Sequence, residues 1–250
     1  MPAKNQLWGA FMFIFDAHLH TLASGHHTTD RVIDVVKAAK ARGILAVGIT
    51  EHAHGMLNGC TESGFRSLML SPRDRLGVKV LFGAEANVMA EDGTIDLSPA
   101  LYDKLDYVIT SLHKECFRPR GEEINTKALI CAMEKKNCDV IGHPADRTFP
   151  LNLPALVKAA KANGVVIELN EASVRENGYR GDNRPATRAL IRLCKEFSVP
   201  VVLGSDSHGG AYVGDFTTLS AMLKEEDFPK TLVLNDCIKR FLAALPRNRK

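Results

Sequence analysis

Apolar residues in this chain fall into short continuous runs, and between the runs they recur at helical spacing. The runs Phe11–Phe15, Leu45–Thr50, Val78–Phe82, Asp106–Thr110, Asp139–Ile141, Val165–Leu169 and Val199–Leu203 are short and rich in β-branched residues. That is the pattern of strands buried on both faces. Val32, Val35, Val36 and Ala39 then repeat with a helical period; Thr28 or Thr29 is placed to cap this helix, Asp30 falls in its first turn and Gly43 stops it. Further helices are predicted over Ile124–Lys136, Pro154–Ala162 and Pro185–Phe197, with two closing ones near Thr217–Leu223 and Asn235–Leu245. Seven apolar strands separated by amphipathic helices imply a parallel sheet covered by helices, an α/β fold. A length of 250 residues suits one α/β barrel, so a single domain over residues 1–250 is expected. Gly55–Leu76 is the least regular stretch and reads as a loop or lid with a short helix.

The residues just past each strand are chemically biased. The strand ends carry Asp16-Ala-His-Leu-His, Glu51-His52, Gly83-Ala-Glu85, Ser111-Leu-His113, Gly142-His143-Pro144 and Gly204-Ser-Asp206-Ser-His208; the sixth carries Asn170-Glu171. Strand residues two apart point to the same side, so His18 and His20 can face one metal ion. In a parallel barrel all strand C-termini lie on one face, where such folds keep their chemistry. The candidates His18, His20, His26, His52, Glu85, His113, His143, Asp206 and His208 therefore converge in space. His27 and His54 are left out and read as surface or structural residues. Each candidate has an ordinary alternative: a loop histidine, a solvated turn carboxylate, or a helix cap for Asp206. Their recurrence at equivalent positions favours a metal site.

Composition narrows the class. The formal charge of +3 argues against a general nucleic-acid-binding surface. No apolar run approaches the ~20 residues of a membrane span. Trp8–Phe15 lacks a small-residue cleavage site and runs straight into Asp16, so a cytoplasmic protein is expected. Cys60, Cys116, Cys131, Cys138, Cys194 and Cys237 are scattered without a Cys-x-x-Cys pair, which disfavours a disulfide framework.

Asp16-Ala-His-Leu-His-Thr, Ile49-Thr-Glu-His, Gly83-Ala-Glu, Gly142-His-Pro and Gly204-Ser-Asp-Ser-His together resemble the PHP (polymerase and histidinol phosphatase) family of metal-dependent phosphoesterases. The resemblance runs from about residue 12 to 245 and is nearest to the small single-domain bacterial phosphatases. It implies a distorted (β/α)7 barrel, TIM-barrel-like, with the metal site at the C-terminal ends of the strands. It also implies that the nine candidates are ligands of three divalent ions, with Glu85 as the bridge. An imidazole-rich set suits zinc or manganese, with iron(II) as a third option. Where the family usually shows Thr-Asp-His, this chain has Thr50-Glu51-His52.

The activity so implied is hydrolysis of a small phosphorylated metabolite, a phosphomonoesterase reaction in which a metal-bound hydroxide attacks phosphorus. Glu85 and Asp206 are the catalytic candidates. Lys114, Arg147, Arg175 and Arg180 are candidate phosphate contacts, and Arg118 and Arg120 also come after the fourth strand. Within the class, histidinol phosphate and a nucleotide or oligonucleotide end are alternative substrates. Outside it stand an amidohydrolase-type metal hydrolase and a non-catalytic PHP scaffold module. The partner expected is a small phosphate ester, with no membrane and no extended nucleic-acid surface; a homo-oligomer is left open.

Overall fold

Seven parallel strands curl round a common interior in this computed structural model, which describes residues 7–8, 11–176, 178 and 180–248. Both ends of the expected 1–250 domain lie outside the described residues. The strands are β1 (Phe15–His20), β2 (Ala46–His52), β3 (Val78–Asn87), β4 (Val108–Ser111), β5 (Val140–Ile141), β6 (Val166–Asn170) and β7 (Val201–Gly204). A two-residue β8 (Ser207–His208) comes at once after β7 and pairs with β1. The spatial order is β7-β6-β5-β4-β3-β2-β1-β8, parallel throughout, and the short Asp74–Arg75 strand joins this sheet antiparallel to β3. The crossovers carry α1 (Val32–Arg42), α2 (Glu62–Met69), α3 (Pro99–Tyr102), α4 (Glu122–Glu134), α5 (Leu153–Asn163) and α6 (Arg184–Glu196). Helices α7 (Thr217–Glu225) and α8 (Ile238–Ala244) close the chain. This is the distorted seven-stranded barrel implied by the motifs.

Each strand sends one face inward. Phe15 and Ala17, Ala46, Leu81, Ile109, Val140, Val166 and Val202 form a single interior cluster, covered at one end by Phe241 and Leu245 from α8 and beyond it. Tyr107 lies wholly inside, with its hydroxyl donating to Ala17 O at 2.6 Å. Its ring needs Gly48: a Cβ there would stand 1.7 Å from the Tyr107 hydroxyl. The outer faces of β1–β3 pack Leu19, Val47, Ile49, Val80 and Phe82 under α1. The outer faces of β5–β7 pack Ile141, Ile167, Leu169, Val201 and Leu203 under α4–α7.

Two irregularities position the site. Phe15 and Asp16 pair with Ala46 and Val47, but Leu19 pairs with Ile49, so β1 holds one residue more than β2 across this stretch. Such a bulge re-aims side chains. Ala17 stays in the interior cluster, Leu19 turns out, and His18 and His20 turn in. Thr50 Oγ1 repairs the broken ladder, accepting from Leu19 N at 3.2 Å. The second irregularity is the seam between β7 and β1. Asn235 bridges it: its Nδ2 donates to Phe15 O and Leu203 O, both at 2.8 Å, and its Oδ1 accepts from Leu203 N.

Two local expectations need correction. The apolar run Phe11–Phe15 is not the first barrel strand; that strand begins at Phe15, and Phe11–Met12 belongs to a hairpin with Leu7–Trp8. The bulge therefore draws Asp-Ala-His-Leu-His into the strand itself. Neither Thr28 nor Thr29 caps α1. Arg31 is its N-cap, and the Asp34 carboxylate accepts from Arg31 N at 3.0 Å. Asp30 instead accepts from Gly210 N at 2.8 Å, tying the loop after β8 to the rim. The Gly43 stop holds, with φ of 75°. In the Gly55–Leu76 stretch, α2 is capped by Thr61 and anchored by Phe65, which is buried.

Candidate metal centre

The nine strand-end candidates meet in one cluster at the C-terminal face. Its centre is Glu85, which β3 carries wholly buried. Glu85 Oε2 lies 3.2 Å from His18 Nε2, 3.4 Å from His20 Nε2 and 2.9 Å from His52 Nδ1. Its other oxygen, Oε1, lies 3.3 Å from His113 Nε2 and 2.8 Å from His143 Nε2. Five imidazoles thus surround one carboxylate, three on one oxygen and two on the other. Asp206 Oδ1 approaches His20 Nε2 at 3.4 Å and His208 Nδ1 at 3.9 Å. His26 completes the set, with Nε2 at 3.3 Å from His208 Nε2.

The rear nitrogens are fixed. His18 Nδ1 lies 2.7 Å from Glu168 Oε1, His20 Nδ1 2.9 Å from Ser24 Oγ, His113 Nδ1 2.7 Å from Asn87 Oδ1 and His26 Nδ1 2.9 Å from Ser24 O. An oxygen behind the ring sets the tautomer and aims the front lone pair, the usual support of a metal-binding histidine. The supports are themselves held. Ser24 Oγ donates to Glu51 Oε2 at 2.5 Å, and Asn87 Nδ2 donates to Asp96 Oδ2 at 2.5 Å. Glu51 also accepts from Thr21 N and Thr21 Oγ1, which gives the departure from Thr-Asp-His a supporting task.

The front atoms test whether metal fits. His52 Nδ1, Glu85 Oε2 and His113 Nε2 are buried, face the cluster and have no hydrogen-bond partner among the described residues. Buried polar atoms left unmet are costly unless something binds them. Three triples hold donor atoms within 4.8 Å of one another: His20-His52-His208, His18-His20-Glu85 and His52-Glu85-His113. The donor set fits divalent metal.

Protonation agrees. Burial, reinforced by the neighbouring His20, pushes His208 down to about 3 and His52 well below the usual imidazole range. Those rings are neutral, the form that offers a lone pair. Burial also lowers His18, but Glu168, Glu85 and Asp206 outweigh it and raise the ring well above its ordinary value. For Glu85, burial is outweighed by its neighbours, His18 first, and the carboxyl is held well below the ordinary range. His143 and Asp206 sit on left-handed backbone, with φ of 28° and 52°. Non-glycine residues in that region concentrate at functional sites.

A cavity of about 720 Å³ opens on the cluster, walled by His26, His27, His113, Asp206 and His208 and by Met56, Leu112, Phe149 and Tyr212 among others. Lys114, Arg175 and Arg180 line it, whereas Arg147 is exposed and outside the lining; Arg118 and Arg120 flank a separate groove. Arg180 bridges two carboxylates, donating to Asp146 Oδ2 at 2.8 Å and Asp206 Oδ2 at 2.9 Å. His27 is exposed but on the cavity wall, its ring 5.6 Å from that of His208; His54 is exposed and outside the lining.

Sequence reasoning missed Glu168. No candidate stands at the end of β6, which carries Asn170-Glu171, and Glu171 turns outward to accept from Thr218 N and Leu219 N at the start of α7. Glu168 faces in with Val166 and Asn170, and its Oε2 also accepts from His143 N at 2.6 Å. Gly204 leaves it room: a Cβ there would stand 2.3 Å from Glu168 Oε1. The signal was present, since Glu168 is the one charged residue inside the Val165–Leu169 run and shares the parity of Asn170.

Comparison with known proteins agrees with this fold. The PHP domain family model matches residues 16–179. A probable phosphatase of Clostridium novyi is 35% identical over 238 residues, covering 95% of this chain and 96% of its own. One from Caldanaerobacter subterraneus is 37% identical over 95% of this chain and 92% of its own. Among solved structures, histidinol phosphate phosphatase of Lactococcus lactis, complexed with zinc, L-histidinol and phosphate, shares the fold. It has a TM-score of 0.59 at 17% identity, covering 87% of this chain and 95% of that one.

Proposed function

This chain belongs to the PHP domain family, and from that premise we propose that it is a metal-dependent phosphomonoesterase acting on a small phosphorylated metabolite. The observation that carries the proposal is Glu85, one buried carboxylate with imidazoles gathered on both of its oxygens. A carboxylate so placed is built to be shared, and nine donors with one shared among them suit three ions, zinc or manganese first. Bound there, divalent ions supply positive charge against phosphate oxygens and a water acidic enough to ionise near neutral pH.

The protein's own groups do the rest. Glu168, Ser24 and Asn87 fix the histidines, so that little reorganisation is needed when substrate arrives. Asp206 turns one oxygen to the cluster while Arg180 and Asn170 hold the other, which suits it to steer a proton at the cluster's edge. Lys114 and Arg180 supply cations along the cavity wall for the phosphate that is cleaved, and Arg175 lines the same cavity. The cavity volume of about 720 Å³ matches a metabolite-sized ligand. The zinc, L-histidinol and phosphate of the Lactococcus lactis enzyme support zinc and a small alcohol's phosphate ester. The cysteine pattern supports a reducing, cytoplasmic setting.

Elemental analysis of purified protein, paired with p-nitrophenyl phosphate hydrolysis before and after chelation, tests the proposal. Close to three zinc, manganese or iron ions per chain, with turnover lost on chelation and restored by metal, is the expected result. One or two ions with amidase activity instead would favour an amidohydrolase. A folded protein with neither metal nor turnover would leave a scaffold role.

A further inference from the structure

Arg180 and Arg175 both line the cavity, yet they stand in opposite electrostatic situations. Arg180 is neutralised by Asp146 and Asp206. Arg175 has no ion pair among the described residues, although Glu115 and Asp146 line the same cavity. Its Nε and Nη2 are buried and have no hydrogen-bond partner among the described residues. Its guanidinium carbon lies 3.8 Å over the ring of Tyr212, a cation–π contact that fixes the plane of the fork.

Both partners are pinned from behind. Arg175 N donates to Glu171 O at 2.8 Å and Gly178 N donates to Arg175 O at 3.0 Å. Tyr212 N donates to Ser207 Oγ at 3.1 Å, and Ser207 is in β8 beside the ligand His208. A buried, unpaired guanidinium is costly unless an anion meets it. A preformed Arg fork is also the geometry that carboxylates and phosphates accept in bidentate fashion. The phosphate undergoing hydrolysis belongs against the metal cluster and Arg180, which leaves the Arg175 edge for another group.

Building on the phosphomonoesterase reading, the geometry points to Arg175, braced by Tyr212, as the receptor for a second oxyanion of the substrate. The favoured substrates then carry a carboxylate or a second phosphate beside the phosphate that is cleaved.

The test is calorimetry on the metal-loaded enzyme with non-hydrolysable ligands: alkylphosphonates, and ω-carboxyalkylphosphonates and α,ω-bisphosphonates of increasing chain length. The best-matched dianionic ligand should bind about tenfold to a hundredfold more tightly than the alkylphosphonate of equal length. Arg175→Gln should abolish that advantage and leave alkylphosphonate affinity within about twofold, since on this assignment Arg175 meets only the second group. The better of the two dianionic series identifies the second group as carboxylate or phosphate. Should Arg175→Gln fail to fold, Tyr212→Ala should still cut the advantage severalfold. Equal binding of all ligands by the wild type would overturn the subsite, and so would an equal loss for every ligand in Arg175→Gln. Metal-dependent p-nitrophenyl phosphate turnover without a dianion advantage sinks the subsite alone. Absence of that turnover sinks the phosphoesterase reading and this inference with it.

Discussion

The two ends of the barrel are made by the same strands and obey different rules. At the N-terminal end Phe15, Tyr107 and Phe241 interlock, with the Phe241 centroid 5.0 Å from each of the other two. There Arg247 pairs with Asp139 at 2.5 Å and lies over the ring of Tyr102, holding the last turns of the chain to the barrel. At the C-terminal end the same strands carry seven imidazoles and two carboxylates, with the buried front atoms of His52, Glu85 and His113 left unmet among the described residues. One end gains stability from close packing. The other forgoes it, because groups that must meet a metal cannot also satisfy one another. A strand can serve both ends since each runs only a few residues before its chemistry changes.

Substitutions should separate the ends. The largest effect is expected at Glu85. Glu85→Gln removes the shared carboxylate and should cut kcat by about a thousandfold or more, with metal content falling and far-UV circular dichroism unchanged. Normal turnover by fully metallated Glu85→Gln enzyme would refute the bridge. Next comes Phe241→Ala at the opposite end, which should cost about 3–5 kcal/mol in denaturant unfolding. Its kcat per metallated, folded molecule should stay within about twofold of wild type; a deeper loss would show that the two ends are coupled.

Glu168→Gln sharpens the comparison, because Glu168 lies between the ends. It should weaken metal binding or activity by about tenfold to a hundredfold, read by competition with a chelator of known affinity. A fall in melting temperature with unchanged metal affinity would make Glu168 part of the packing alone. The smallest effect concerns Glu171. Burial outweighs its two backbone hydrogen bonds and raises its carboxyl from 4.5 to about 7. A raised acid favours the folded state below its unfolded value, and that contribution is lost as pH climbs through the folded one. The melting temperature of wild type relative to Glu171→Gln should therefore drop by a few degrees between about pH 4.5 and 7, then level off. A flat difference across that window would refute the assignment.

Much of this was legible in the chain. Apolar runs locate six of the seven barrel strands within a few residues, and the residues at their C-terminal ends name the clustered side chains, because a parallel barrel converts sequence position into shared location. Legibility ended where position depends on partners distant in sequence. The bulge in β1 shows only against β2, so the run Phe11–Phe15 misplaces the first strand. Glu168 hides within an apolar run, and only its inward parity marks it. The supports Ser24, Asn87 and Glu51 read as ordinary polar residues until the fold brings a histidine ring, or a partner of one, against them. Arg147 and Arg175 look alike as charges after strands, yet one is exposed and the other is stacked on Tyr212.

Asn235 carries one more consequence, in the order of synthesis. All nine candidate ligands lie before it in the chain, the last being His208. Its contact with Phe15 spans 220 residues, so β1 must wait for the chain as far as Asn235 before its seam with β7 is sealed. Contacts of such long range are slow to form, because the loop must close before any bond rewards it. The seam between β1 and β7 is therefore sealed only after all nine candidate ligands have been synthesised.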